Sequence, residues 1–390
     1  MASILMSTGN CAAVAARAAA ADLIFRIKYD SLTVSEQDIY EIIPVKRLQE
    51  ACNQNESVYS AVMEGGSFPD IRDRAEIRVK VSYITDFRTL QDKVFVDTKF
   101  DNLFLQGGEG IGTAPSDQGG IKKGEALISR ESRRAIFDAV ASVCDISDGA
   151  QLLLITVSSP DGLMIAAKQA MGQSTFTGGI SIVGGSSSIT QVHQRDIANS
   201  IEDQIKRQVD LGVKSLLVSP GRFCADKVNE QLHVPLNTAV HCYNYPGHAL
   251  DTCVNLGLEN VLLVGNVGKL VKLAAGISNT NSFASDGRRE IFASHTALVG
   301  GSAVQVRGVM GCTTCDEILS LLDSFGLRQK VMSSIMNAIE GYAGKRTGGR
   351  IRLGIALFSE QFGLLGQTMG TKNVLVKVSQ EQFALSLKLK

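Results

Sequence analysis

NVLLVGNVGKLVKLAAGISNTNSFASDGRREIFASHTALVG, residues 260–300, opens with an unbroken apolar run, Val261 to Val264, that stops at Gly265. Four apolar residues closed by glycine predict a short strand buried on both faces, as in a parallel sheet. After a tight turn, Gly268 and Lys269 open a helix in which Leu270, Leu273, Ala274 and Ile277 recur at the i, i+3, i+4, i+7 spacing of one buried face. Lys269 and Lys272 share the other side. Lys269 falls in the first turn, where unpaired N–H groups and the helix dipole already favour an anion. A lysine there adds to the positive end, which predicts a negatively charged visitor; the plainer alternative is a crossover with a solvated lysine face. The turn is not a Walker A motif, because only Asn266 and Val267 separate its glycines and Leu270 follows the lysine. Nor is it GxGxxG, so nucleotide hydrolysis and dinucleotide binding find no support in it.

The unit repeats upstream. Ser215–Val218 ends at Pro220-Gly221-Arg222, Ala239–Tyr243 is another apolar run, and the Gly/Ser-rich segment Gly178–Ser188, GGISIVGGSSS, feeds a helical pattern from about Thr190 to Leu211. A strand feeding a Gly/Ser turn and a helix predicts the first unit of a nucleotide-binding α/β domain. Alternating strands and helices predict right-handed crossovers onto one parallel sheet, with the glycine turns gathered along the strands' carboxyl edge. Downstream, Thr314–Ala343 reads as helix, and Arg350–Ser359 and Asn373–Val378 read as terminal strands.

Before residue 174 the pattern differs. Ser7-Thr8-Gly9-Asn10 offers cap residues to a helix whose Cys11–Ala21 portion is nearly all alanine, small enough to approach another backbone or a ligand closely. Tyr40–Val45, Val58–Met63, Glu76–Thr85 and Asn102–Leu105 read as strands, followed by a helix over Ser129–Val143, a strand over Leu152–Val157 and a helix over Asp161–Met171. The fold class is α/β: an N-terminal α+β domain with a largely antiparallel or mixed sheet (residues 1–173), then a C-terminal Rossmann-like α/β domain with a mainly parallel sheet (174–350). Terminal strands, 351–390, pack back on the body. Gly172–Ser174, where small and polar residues replace periodic ones, marks the boundary.

The glycine run Gly107-Gly108-Glu109-Gly110-Ile111-Gly112 can adopt positive φ almost anywhere and present successive N–H groups to an oxyanion. Glu109, the acid in its middle, suits a hydrogen-bond acceptor or general base, or else belongs to a flexible hairpin loop. Arg130, Arg133 and Arg134 fit carboxylates, although a solvated face explains most such clusters.

At 390 residues the chain is long enough for two or three domains, each with its own core. Thirty-nine basic and thirty-nine acidic residues cancel, so no global field recruits nucleic acid, and small-molecule partners are expected. Eight cysteines, mostly inside apolar segments, suit reduced thiols; with no secretory leader pattern and no apolar run of membrane-spanning length, they predict a cytoplasmic protein that does not engage a membrane. Cys312 and Cys315 form CxxC without a second pair, and Thr314 with Glu317 fits a capping box, so a helix start is the better reading than zinc. His295 shares a helix face with Ile291, Leu298 and Val299, as a core histidine would, and His193, His233, His241 and His248 are scattered without metal-ligand spacing.

Taken in order, STGNCAAVAARAAA from Ser7, GGEGIG from Gly107, TGGISIVGGSSSIT from Thr177, SPGR from Ser219, LLVGNVGKLVKLAAGISNTNS from Leu262, the helix with Arg288, Glu290 and His295, and LFSEQFGLLGQT from Leu357 resemble the CbiD family of cobalt-precorrin-5B carbon-1 methyltransferases. The resemblance runs through most of the chain. It implies transfer of a methyl group from S-adenosylmethionine to a tetrapyrrole with many carboxylate arms, with no protein-bound metal, the cobalt arriving within the substrate. Carried onto this chain, it implies cofactor contacts at Gly178, Gly179, Ser181, Gly184, Gly185, Ser186, Gly265, Asn266 and Gly268. Substrate contacts fall at Gly108, Gly110, Arg130, Arg133, Lys269, Asn281 and Arg288, with Glu109 or His295 either accepting a proton or stabilising charge on the macrocycle. The chain departs from the family's pattern at Ser67–Asp70, where a DDPD segment is usual, at Ile128–Arg133 and at Tyr243–Gly247. Asn266 and Asn281 replace two histidines, and an amide cannot titrate. A relative acting on another tetrapyrrole, or a non-catalytic tetrapyrrole-binding protein, are the alternatives these departures raise.

Overall fold

The computed structural model describes residues 7–36, 39–64, 74–90, 92–117, 120–147, 151–170, 178–185, 188–189, 194–282 and 284–388. The chain divides into two compact units, Met1–Ile197 and Ala198–Lys390. The first contains α1 (Thr8–Phe25), β1 (Ser31–Glu36), β2 (Ile39–Pro44), β3 (Lys46–Arg47), β4 (Glu56–Val62), β5 (Glu76–Tyr83), β6 (Phe95–Asp97), β7 (Phe100–Gly107), α2 (Arg130–Ser147), β8 (Leu153–Ser158), α3 (Gly162–Ala170) and β9 (Ser188–Ile189). α4 (Gln194–Asp210) spans the division.

Unit 1 is built on a six-stranded sheet of order β3-β4-β5-β8-β7-β6. All its pairs are antiparallel except β7 with β8, which α2 joins as a crossover. β5 shows why the sheet forms: Ile77, Val79 and Val81 are fully buried and alternate with half-exposed Arg78 and Lys80. α1 packs on β4 and β5 and against α2, and every one of its residues is buried. A run of alanines permits that close approach, and Ser7 Oγ caps the helix by accepting the Asn10 N–H at 3.0 Å. A small second sheet, β2-β1-β9, completes the unit.

Unit 2 continues with β10 (Ser215–Ser219), α5 (Ala225–Leu232), β11 (Val240–His241), α6 (Pro246–Asn255), β12 (Asn260–Asn266), α7 (Val267–Leu270), α8 (Arg288–Leu298), α9 (Ala303–Gly311), α10 (Cys315–Ser324), α11 (Arg328–Thr347), β13 (Arg352–Ser359), β14 (Gly363–Gln367) and α12 (Thr371–Lys388). Its sheet runs β11-β10-β12-β13-β14, the first four strands parallel and β14 antiparallel. Val261–Val264 are fully buried, as the apolar run required, and β12 pairs along its whole length with β13, Val261 opposite Leu353. The mixed α+β unit followed by a Rossmann-like parallel one is the architecture expected from the sequence.

Several local expectations are corrected. The segment read as a terminal strand, Asn373–Val378, is the start of α12. Val374 and Val378 lie one helical turn apart, both are buried, and the helix covers β12 and β13, so a short apolar run was a helix face. The helix expected over Thr314–Ala343 is two, broken where Gly326 adopts φ +66°. Gly178–Ser188 is not the opening strand of the parallel sheet: Ile180 and Ile182 bridge to Ile111 and Ile128 inside unit 1. The boundary expected at Gly172–Ser174 lies outside the described residues. Among described residues no helix is long and apolar enough to cross a membrane.

Candidate functional site

In unit 2 the chain leaves β10 towards β11 on one side and later returns to β12 on the other, so the strand order reverses between β10 and β12. Ligands of open α/β sheets bind outside the carboxyl ends of the strands at such a point, where the flanking loops diverge and leave a crevice. Here those loops are Pro220–Cys224 and Asn266–Lys269. Gly265 is obligatory, since a Cβ on it would lie 2.7 Å from Pro220 Cδ; at Gly221 a side chain would meet nothing within 4 Å. Asn266 is the N-cap of α7, its Oδ1 accepting the Gly268 N–H at 2.6 Å, while its Nδ2 reaches Cys224 Sγ at 3.7 Å. Cys224 is in the left-handed region at φ +64°, and burial pushes its thiol up to about 12, which leaves it protonated. Its N–H donates to Glu360 Oε1 at 2.7 Å, so the loops after β10, β12 and β13 meet at this residue.

Two cations stand beside them. Lys269, half-buried, donates from Nζ to Asn244 Oδ1 at 2.6 Å, and Asn244 sits fully buried past the end of β11. Arg288, in the first turn of α8, grips Asp286 through Nε and Nη2 at 2.6 and 2.8 Å, and this bond holds the Asp286 carboxyl down to about 2. Gly268 lies close by, the position of a Cβ there falling 3.8 Å from Arg288 Nη1. Asn281 is half-buried, its N–H bonded to Asn279 Oδ1 at 3.1 Å, in the loop that leads to Arg288.

In unit 1 the two glycine-rich turns interlock. Ile180 N–H donates to Gly110 O at 2.9 Å, Gly112 N–H to Ile180 O at 2.9 Å, and Ser129 N–H to Ile182 O at 2.9 Å. Gly179 is demanded by this backbone contact, since a Cβ on it would fall 2.2 Å from Gly110 O, and Gly110, at φ +74°, by the segment after β8, since a Cβ on it would fall 1.9 Å from Ser159 O. Gly184 accepts Ser132 Oγ at 2.5 Å, and Gly9 N–H reaches Val183 O at 2.9 Å, so α1 and α2 begin beside Gly184 and Gly185. Glu109 is exposed on its turn, within the field of Arg78. Arg130 is exposed. Arg133 instead packs over the Phe95 ring at 4.4 Å and bonds Gly120 O at 3.0 Å, with burial lowering its pKa.

A family model described as CbiD matches residues 4–191, and one described as the CbiD C-terminal domain matches residues 279–369. The chain belongs to the CbiD family. It is 29% identical over 91% of its length to a cobalt-precorrin-5B C(1)-methyltransferase of Ruminiclostridium cellulolyticum, covering 88% of that protein. It is 26% identical over 85% of its length to the protein of the same name from Methanocaldococcus jannaschii, covering 87% of it. A 1.9 Å crystal structure of the cobalamin biosynthesis protein cbiD from Archaeoglobus fulgidus is 17% identical, with a TM-score of 0.33 over 72% of this chain and 82% of that one, a likeness that adds nothing to the assignment.

The residues expected from the sequence of this CbiD chain therefore fall into two groups. Gly108, Glu109, Gly110, Gly178, Gly179, Ser181, Gly184 and Gly185 lie together in unit 1, with Arg130 and Arg133 in the first turn of the adjoining α2; Ser186 and Ser67–Asp70 lie outside the described residues. Gly265, Asn266, Gly268, Lys269, Asn281 and Arg288 lie together in unit 2. His295 is a core histidine: it is 8% exposed, Nδ1 is 2.7 Å from Ser334 Oγ of α11, and burial lowers its pKa. Lys272 does not share the open side with Lys269. It is 0% exposed, its ammonium bonding Thr280 O, Ser282 Oγ and Ser285 O at 2.9, 3.1 and 3.0 Å. Oxygens of Thr280, Ser282 and Ser285, eight to thirteen residues further on, close over that side and take the ammonium, a tertiary contact that helical spacing does not show. Sequence reasoning missed Asn244, Cys224 and Glu360. Each sits one to five residues past a strand's carboxyl end; Asn244 also lies in the departing Tyr243–Gly247 segment and Glu360 in LFSEQFGLLGQT. Cys312 and Cys315 flank the start of α10, whose Thr314/Glu317 capping box is formed, and no metal-ligating cluster occurs among the described residues.

Proposed function

We propose that this CbiD-family chain is a methyltransferase that uses S-adenosylmethionine to methylate a cobalt-precorrin, converting cobalt-precorrin-5B at carbon 1, and that it works in the cytoplasm. The observation that carries the reading is its match, along most of its own length and theirs, to relatives that bear that activity as their name.

The crevice of unit 2 suits the cofactor. Gly221 leaves open space beside the β10 loop, Gly265 lets Pro220 close on β12, and Asn266 fixes the turn that presents Gly268. Bound there, S-adenosylmethionine supplies an electrophilic methyl group on a sulfonium. Displacement at that carbon needs no nucleophilic side chain, so the protein's work is orientation and exclusion of water. Lys269 and Arg288 suit carboxylates, and both are held in place beforehand, by Asn244 and Asp286, which limits the side-chain entropy lost when an acidic arm docks. In unit 1, exposed Glu109 is the proposed proton acceptor, with Arg130 a further cation for an acidic arm. His295, whose Nδ1 is engaged by Ser334, serves the packing of α8 on α11.

Incubating the protein with cobalt-precorrin-5B and methyl-labelled S-adenosylmethionine, followed by mass spectrometry, should give one labelled methyl on the macrocycle. Absence of any S-adenosylhomocysteine binding by titration calorimetry, with or without tetrapyrrole, would refute the proposal. A label appearing only on a different precorrin would identify the alternative substrate.

A further inference from the structure

Glu360 follows β13 directly, yet its carboxylate bonds to the backbone of Cys224, beyond β10. Strand β12 lies between β10 and β13, so this bond spans the carboxyl end of β12, where Asn266 also touches Cys224. An exposed acid is thereby fixed at the rim of the crevice. The bond occupies one lone pair of Oε1; an ionised carboxylate accepts at about four sites and donates at none, so most of its capacity remains. The neighbouring acids are committed elsewhere: Asp286 is gripped by Arg288, and Asp316 receives Ser359 Oγ at 2.7 Å.

In parallel α/β sheets that bind nucleosides, an acid at the end of the strand adjoining the glycine turn accepts hydrogen bonds from the ribose hydroxyls, because a vicinal diol offers two donors and a carboxylate two acceptors. β13 adjoins β12 and its Gly265–Gly268 turn in register, Asn266 opposite Phe358, two residues before Glu360. We propose that Glu360 binds the ribose diol of the adenosyl cofactor and makes the site specific for a ribonucleoside. The proposal rests on the cofactor reading above.

The test is titration calorimetry with S-adenosylhomocysteine and its 2′-deoxy and 3′-deoxy analogues, against the wild type, Glu360→Ala and Glu360→Gln. A hydrogen bond to a charged group is worth a factor of roughly ten to a hundred in affinity. Wild type should bind at least one deoxy analogue about tenfold or more weakly than the ribonucleoside. Glu360→Ala should bind all three about equally, at the level of that analogue, and Glu360→Gln should fall between. Loosening of the Cys224 loop in the variants would weaken all three ligands alike and leave their ratio unchanged, so a merely structural role predicts an unaltered ratio. A wild type that does not discriminate, or a Glu360→Ala variant that discriminates as before, overturns the inference while leaving the cofactor reading intact. Failure of the wild type to bind S-adenosylhomocysteine at all overturns both.

Discussion

Replacing Lys272 by methionine keeps the length of the buried side chain and deletes its ammonium. The lysine is 0% exposed and donates to the backbone carbonyls of Thr280 and Ser285 and to Ser282 Oγ. Methionine leaves the buried Thr280 carbonyl without that donor, at about 1–3 kcal/mol, whereas the carbonyl of exposed Ser285 and the Ser282 hydroxyl can turn to water or another partner. Relief of the desolvation of a buried charge offsets part of this, since buried ions replaced by apolar groups of similar volume sometimes stabilise. A net loss of roughly 1–3 kcal/mol follows, which for a unit of this size lowers Tm by about 3–10 °C. Calorimetry reads the melting, and hydrogen exchange locates it: the amides of Thr280–Ser285 should exchange faster, with Val261–Val264 unaffected below the melting transition. A Lys272→Met protein that melts within about 2 °C of wild type and protects Thr280–Ser285 equally would refute the reasoning, because the three bonds would then contribute nothing beyond the cost of burying the charge.

Other outcomes follow from single residues. Gly179→Ala places a Cβ 2.2 Å from Gly110 O at φ +156°, and should prevent unit 1 from packing normally, seen as loss of soluble protein or a fall of more than about 3 kcal/mol in urea stability. Asn266→Ala removes the cap of α7 and should cost about 1 kcal/mol by denaturant unfolding, whereas Asn266→Asp, which still accepts the Gly268 N–H, should recover most of it. Lys269→Met should weaken binding of a polycarboxylate tetrapyrrole several-fold by absorbance titration, and should also cost about 1–2 kcal/mol in urea unfolding, because buried Asn244 Oδ1 keeps the longer Thr280 Oγ1 contact at 3.5 Å in place of the lysine. Because burial lowers the His295 pKa in the folded chain, the unfolded state takes up its proton first; that stability is fully present above the ordinary value near 6.5 and declines as pH falls below it. His295→Gln should flatten that part of the stability–pH curve measured by urea titration.

The parallel sheet was legible because burial on both faces leaves a signature, the continuous runs at Leu216–Val218 and Val261–Val264, that side-chain alternation cannot imitate. The antiparallel partners of unit 1 were legible for the opposite reason, as β5 shows. What escaped was decided by contacts between segments remote in sequence. Gly178–Gly185 looks like a phosphate cradle in isolation, and only the tertiary structure reveals that Gly179 answers to the Gly110 backbone, Gly184 to the Ser7 side chain and Gly185 to Ala135 and Ser132. Lys272 was misplaced because helical spacing says nothing of the later oxygens of Thr280, Ser282 and Ser285 that close over its side and take its ammonium. Glu360 lies in the LFSEQFGLLGQT segment, but nothing local marks it as a site residue; its position depends on β13 being laid beside β12, an event fixed by strand order that no window of sequence contains.

α1 has no outer side. Most helices present a variable half-circumference to water, where substitution is nearly free, but each of these eighteen positions touches protein all round. The chain also makes this helix long before α2, which helps to enclose it, so during synthesis a largely apolar helix waits for about a hundred residues to be added. Such a segment invites chaperone binding in the interval, and it leaves this chain almost no room to enlarge an alanine there without moving the strands beneath.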